Sequence, residues 1–182
     1  MEESPRTILT IGHSTRTLAE FIALVSDVQV ASDLIVDERS IPRSRTNPQF
    51  NTDILPEALA TAGIGYRHLP ALGGRRPRPE SATRSRNTLW ENLSFRNYAD
   101  YTATDEFRDG LEELVALAEH RRCAIMCAEA VWWRCHRRII ADYLLAKGFF
   151  VGHIMGHRKV NAAKPTPGVR SLGDGTLVYS GD

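Results

Sequence analysis

The chain has 182 residues, 42% hydrophobic and 25% charged, enough apolar material for one soluble domain with a full core. No run approaches the roughly eighteen apolar residues of a membrane span, and the start, MEESPRTILT, lacks the basic and long apolar stretches of a secretory signal, so a cytoplasmic protein is expected. All three cysteines lie between positions 123 and 135, which argues for reduced thiols over a disulfide framework, and the net charge of +1 conceals ten arginines against four acids between positions 39 and 96.

In chain order, TILTIGHS predicts a buried strand stopping at a glycine turn. Thr17 with Glu20 forms a capping box ahead of a helix carrying Leu18, Phe21, Ile22 and Val25. DLIVDERS carries a second strand ending at Asp37, followed by a proline-broken loop. A helix over 57–62 closes at Gly63, and GYRHLP supplies a third strand. The segment 72–97 reads as a long loop rich in Gly, Pro, Ser and Arg, and Thr104 then caps a strongly amphipathic helix. CAIMC is a fourth strand, CHRRIIADYLLAKG a fourth helix stopping at Gly148, and FFVGHIM a fifth strand. This alternation predicts a single α/β domain over 1–156: an open, mainly parallel sheet with helices on both faces, Rossmann-like and three-layered. Residues 157–182 read as a polar tail with a hairpin over 172–179 at Asp174-Gly175.

Ligands of open parallel sheets bind beyond the carboxyl ends of the strands. The predicted strands end in Gly12-His13-Ser14, Asp37-Glu38-Arg39, Gly73-Gly74-Arg75 and Cys127-Ala128-Glu129, so four polar loops share one edge. The ordered set TIGHS, VDERSIPRSRTNPQFN, GIGYRHLPALGGRR, YADYTATDEF and CAEAVWWRCHRRIIADYLLAKG resembles the family catalogued as domain of unknown function 488. The resemblance implies an α/β domain with a shared polar site, and no particular reaction. Glu38 departs from the family's usual VDVR, whereas Asp37 and Arg39 match it.

Several chemistries fit these residues. The turn at Gly12, His13 and Ser14 can offer amides, a hydroxyl and a proton donor to an anion. Asp37 and Arg39, two apart in an extended strand, share one side: either a general base beside a phosphate-binding fork, or an internal ion pair. Ser44 extends that polar loop, and Gly74 and Arg75 open the arginine-rich segment, whose interleaved Trp90, Phe95 and Tyr98 suit nucleic acid or a nucleotide. The same composition also suits a solvated loop with its aromatic residues packed on the core.

In CAEAVWWRCHRR, Cys127 can be a thiol nucleophile, yet six residues rather than five separate it from Arg134 and none is glycine, unlike a phosphatase loop. Cys127, Cys135 and His136 can be read as metal ligands, although two adjacent helical residues diverge by about 100°. The remaining reading makes the cysteines small hydrophobes and Glu129 the chemical residue, facing Asp37 across a cleft, with Arg134, His136 and Arg137 holding an anion. The leading expectation is therefore an enzyme, without resident cofactor, that cleaves or transfers at a glycosidic or phosphate-linked bond of a nucleotide or nucleic acid. A non-catalytic nucleic-acid-binding module and a thiol- or metal-dependent enzyme centred on Cys127 are the alternatives.

Overall fold

Successive residues of the central strands enter opposite apolar clusters in the computed structural model, which describes residues 6–27, 29–78 and 84–181; residues 79–83 of the arginine-rich segment thus lie outside the described residues. In β1 (Thr7–Gly12), Ile8 joins one apolar cluster while Leu9 and Ile11 join another. β2 (Leu34–Asp37) separates Leu34 and Val36 from Ile35 in the same way. The strand from Cys123 to Cys127 separates Cys123 and Ile125 from Ala124 and Met126. Both faces are apolar because both are covered.

With β3 (Gly65–His68), β4 (Cys123–Cys127), β5 (Phe150–Gly156) and β6 (Lys159–Ala162), the sheet order is β3-β2-β4-β1-β5-β6. The first five strands are mutually parallel, and β6 pairs antiparallel with β5 at the edge. Helices α1 (Leu18–Val25) and α2 (Leu55–Thr61) supply Phe21, Val25, Leu55 and Leu59 to one cluster. Helices α3 (Leu93–Tyr101), α4 (Asp105–His120) and α5 (Arg137–Ala146) supply Tyr98, Phe107, Leu114, Ile139 and Leu144 to the other. The open, mainly parallel α/β architecture expected from the alternation is the one observed. Among the described residues no helix is long and apolar enough to cross a membrane.

The local signals behave as their chemistry dictates. Thr17 accepts from the Glu20 amide at 3.1 Å and its own amide donates to Glu20 Oε2 at 2.8 Å. Gly63 and Gly148 end their helices at φ +76° and +83°, where a side chain would be strained. Two elements differ from the reading of the sequence. The end of the expected loop 72–97 is α3, whose first amides donate to Asn92 Oδ1. Residues past Gly156 belong to the same folded body: KVNA has no apolar run of its own and is extended because β5 offers it an open edge. β7 (Val169–Ser171) and β8 (Leu177–Tyr179) form a hairpin, docked where Tyr179 donates to Asp142 Oδ2 at 2.9 Å.

From β1 the chain crosses to β2 on one side, and from β4 it crosses to β5 on the other. The adjacent ends of β1 and β4 therefore diverge into a crevice at the carboxyl edge, the switch point of such sheets.

Candidate thiol site at the carboxyl edge

A cleft of about 650 Å³ opens at this switch point, within the size range of small-ligand sites. His13, Ser14, Arg39, Ser44, Gly74, Arg75, Cys127, Glu129, Arg134, Cys135 and His136 all line it, so most of the candidates converge. Arg43, Arg75 and Arg134 are exposed at its rim. Asp37 does not line it.

Strand parity divides the polar residues into two layers. Positions 37 and 39 continue the face of Ile35, and His13 continues that of Leu9 and Ile11. There Arg39 forks onto Asp37, Nε to Oδ1 at 2.9 Å and Nη2 to Oδ2 at 2.7 Å. Asp37 also accepts the Arg39 amide at 3.1 Å and the Tyr66 hydroxyl at 2.6 Å, and it is fully buried. Burial and the Asp37 carboxylate hold the Tyr66 phenol above its ordinary pKa, so the hydroxyl stays a donor. Both oxygens of Asp37 are occupied, which leaves none to accept a substrate proton. The ion-pair reading of Asp37 and Arg39 is the one the geometry matches.

His13 stacks on Phe50 with ring centroids 4.3 Å apart. Its Nδ1 lies 2.8 Å from the Ser14 carbonyl, which can only accept, so the proton sits on Nδ1 and Nε2 accepts from Arg39 Nη1 at 3.3 Å. Burial, with help from the Arg39 charge, lowers its pKa to about 4. His13 is thus a neutral spacer whose one proton is committed. The amides of His13 and Ser14 donate to Cys127 and Ala128 carbonyls, so they are not free for an anion. Gly12 is needed because a Cβ there would lie 1.7 Å from the Glu129 carbonyl. Ser44 accepts the amides of Thr46 and Asn47 and serves its own turn.

The other layer holds the thiols. Positions 36 and 38, 125 and 127, and 8 and 10 share one face, and α5 begins above them. Cys127 Sγ lies 3.0 Å from Cys135 Sγ. Cys135 Sγ also accepts from the Arg137 amide at 3.5 Å and from Arg137 Nε at 3.4 Å, and His136 Nδ1 is 3.5 Å away. Burial opposes ionisation of Cys135. The hydrogen bond from Cys127, the His136 charge and the Arg137 charge outweigh it and bring the thiol well below the ordinary range. Cys127, raised by burial and by its charged neighbour, is the protonated partner.

Glu38, next along the chain from Asp37 and on the opposite face of the sheet, is a central member of this cluster. Its carboxylate is fully buried, and Oε1 lies 3.1 Å from His136 Nε2. The contact is off the N–H axis, so it is an ion pair rather than a well-aligned hydrogen bond. Burial alone lowers the His136 pKa, but Glu38 and Cys135 on its two sides raise it to about 10. The raised imidazole therefore stands between the lowered Cys135 thiol and the Glu38 carboxyl, whose own pKa burial raises against the opposing pull of His136. Arg137, 1% exposed, adds the second cation, donating through Nη1 to Thr10 at 3.2 Å and through Nη2 to the Glu129 carbonyl at 2.9 Å. The parity of 36 and 38 against 125 and 127 was the available signal for Glu38.

Cys135 and His136 do not diverge as two helical residues would. Cys135 is extended, φ −125° and ψ 146°, between the short 3-10 turn Trp132–Arg134 and α5. One ligand atom each from Glu38, Cys135 and His136 lies within 4.8 Å of the others. These donor types suit a borderline ion, but the Arg137 guanidinium already occupies the sulfur and would face the ion with like charge. The residues fit a metal poorly while Arg137 stays in place. Glu129 sits at the rim, exposed, with its carbonyl rather than its carboxylate tied to Arg137.

Gly74 backs the imidazole: a Cβ there would lie 2.3 Å from His136 Nδ1. The ring is held by Glu38 and by Tyr98, whose ring centroid is 4.9 Å away, so it has little room to yield. Gly74→Ala should cost about 1–3 kcal/mol, measured by urea unfolding, and should slow Cys135 alkylation by pushing His136 off the sulfur.

The aromatic residues of the basic segment are largely committed to packing. Trp90 is buried, stacked on Phe95 at 4.8 Å and tilted against Tyr179 at 5.2 Å, and Tyr98 is fully buried. Arg76 lies over Tyr101 and donates to the Pro70 carbonyl at 2.6 Å. Of the tryptophans beside the site, Trp132 stacks on His153 while Trp133 is 46% exposed.

No curated protein and no solved structure matches the chain. The family model described as Domain of unknown function DUF488 matches residues 17–144, from the first helix through β2, the glycine pair, the thiols and most of α5. That span is more than two thirds of the 182 residues and holds nearly every side chain of the thiol layer, and the chain belongs to this family.

Proposed function

We propose that the protein is a thiol-dependent enzyme that transfers or cleaves at a phosphate-linked bond of a nucleotide-sized anion, with Cys135 as nucleophile. What carries this reading is the set of donors converging on one sulfur at the floor of a basic-rimmed cleft: Cys127, His136, and the amide and guanidinium of Arg137. A thiolate so held is available at neutral pH and is a strong nucleophile. A bond forms from Sγ to phosphorus and the bond to the leaving oxygen breaks, that oxygen taking a proton from water beside Glu129. Water then displaces the sulfur and restores the thiolate. Arg43, Arg75 and Arg134 at the rim suit the charge of the transferring group.

Alkylation tests the nucleophile before any substrate is identified. Iodoacetamide should label Cys135 of the folded protein first, at a rate already on its plateau at neutral pH, and a nucleoside monophosphate should protect it. Cys135→Ser should lose this label and any turnover while keeping a native circular dichroism spectrum, at a lower unfolding midpoint because His136 and Arg137 lose a buried counter-charge. First labelling of Cys127 or Cys123, or a rate climbing about tenfold per pH unit up to pH 9 as for an ordinary thiol, would overturn the assignment.

A further inference from the structure

We infer that Cys127 and Cys135 form a reversible redox pair, in which a peroxide oxidises Cys135 and Cys127 closes an intramolecular disulfide that shuts the site. The inference rests on the thiolate reading of Cys135 but on no particular substrate. The two sulfurs are already 3.0 Å apart, although eight positions separate them in the chain. Bond formation needs them about 1 Å closer. Cys127 is fixed at the end of β4, whereas Cys135 is the last residue of an irregular connection, extended rather than helical, so the connection can supply that movement. Cys135 is buried, 4% exposed, and its accessible side faces the open cleft, the route by which a small oxidant would reach it.

The chemistry balances. The Cys135 sulfur attacks one peroxide oxygen, the O–O bond breaks, and the departing alkoxide or hydroxide takes up a proton, leaving a sulfenic acid. Cys127 then gives up its proton and attacks that sulfur; the S–O bond breaks and water departs. Two thiols lose two electrons and two protons in all, and the peroxide becomes an alcohol, or water, plus a second water. An external dithiol reverses the change. Disulfide formation removes the negative charge that His136 and Arg137 share, so it silences the nucleophile as well as covering it.

Cys123 provides an internal control. It is buried in β4, its sulfur donates to the Arg121 carbonyl, and burial pushes its pKa up to about 12. Hydrogen peroxide added to the folded full-length protein, followed by denaturing alkylation and peptide mapping, should reduce the alkylatable thiols from three to one, the survivor being Cys123. Dithiothreitol should restore all three. In Cys127→Ser the same treatment should leave a sulfenic acid on Cys135 that a dimedone probe captures, and in Cys135→Ser neither remaining thiol should react. The wild-type mapping does not depend on either variant folding. Three free thiols after treatment, oxidation of Cys135 beyond the sulfenic acid without a bridge, or a bridge including Cys123 would each sink the proposal. Because mapping reads the bridge and iodoacetamide reads the thiolate, failure of the pair is distinguishable from failure of the nucleophile.

Discussion

Replacing Asp37 by Asn should destabilise the protein by about 3–5 kcal/mol, because it breaks a buried ion pair and leaves the Arg39 guanidinium without its counter-charge. A fully buried carboxylate, forked by Arg39 and capped by Tyr66, has no solvent to replace what it loses. An amide in its place must turn an NH₂ toward an Arg39 N–H whichever oxygen it replaces, because Arg39 donates to both Oδ1 and Oδ2. The remaining Arg39 contacts, to the Phe50 carbonyl at 2.6 Å and to His13 at 3.3 Å, supply no negative charge. The urea unfolding midpoint should fall by more than about 1 M for a protein of this size. A catalytic carboxylate would behave in the opposite way, with turnover lost and the midpoint unchanged. The measurement therefore separates the two roles that the sequence left open for Asp37.

Why Asp37 was legible as half of a pair, and Glu38 was not legible as a site residue, comes down to strand parity. The spacing of Asp37 and Arg39 puts both on one side of an extended chain, and that relation survives in the fold as the fork. Facing Asp37 toward Glu129 required a different inference, that residues ending neighbouring strands meet across the cleft. They do so only when they project from the same face of the sheet, and Asp37 shares its face with Ile35, Phe50 and His13. Glu38 shares the opposite face with Val36, Ile125 and Cys127, under the first turn of α5.

Elements with a local cause were readable: the capping box at Thr17, the glycine stops, and strands apolar on both faces. Elements with a distant cause were not. β6 is an edge strand of four half-exposed or exposed residues, extended only because β5 needs a partner. α3 carries Phe95, Tyr98 and Ala99 at helical spacing behind an Asn cap, a signal that the surrounding Gly, Pro and Arg obscured. Cys135 depended on a three-residue turn that no pattern in CAEAVWWRCHRR announces.

Arg137→Met should lower stability by about 3–5 kcal/mol and, separately, move the pH profile of Cys135 alkylation upward. Methionine keeps much of the buried length but removes a cation held by Cys135, Thr10 and the Glu129 carbonyl. The wild-type cluster has two cations, His136 and Arg137, against two anions, Cys135 and Glu38; the variant has one cation for both. Its cheapest adjustment is to protonate an anion. Because burial already raises the Glu38 pKa, the carboxyl and the thiol compete for that proton, and both should be harder to ionise than in the wild type. The alkaline limb gives the sign of the remaining term. The folded His136 pKa, about 10, lies above the ordinary 6.5, so its stabilisation is complete below pH 6.5 and is lost as pH rises through 10. With His136 as the last cation, Arg137→Met should lose stability more steeply than wild type over that window in urea titrations. If stability falls while the alkylation profile stays where it was, Arg137 is a packing cation only, and His136 by itself maintains the thiolate.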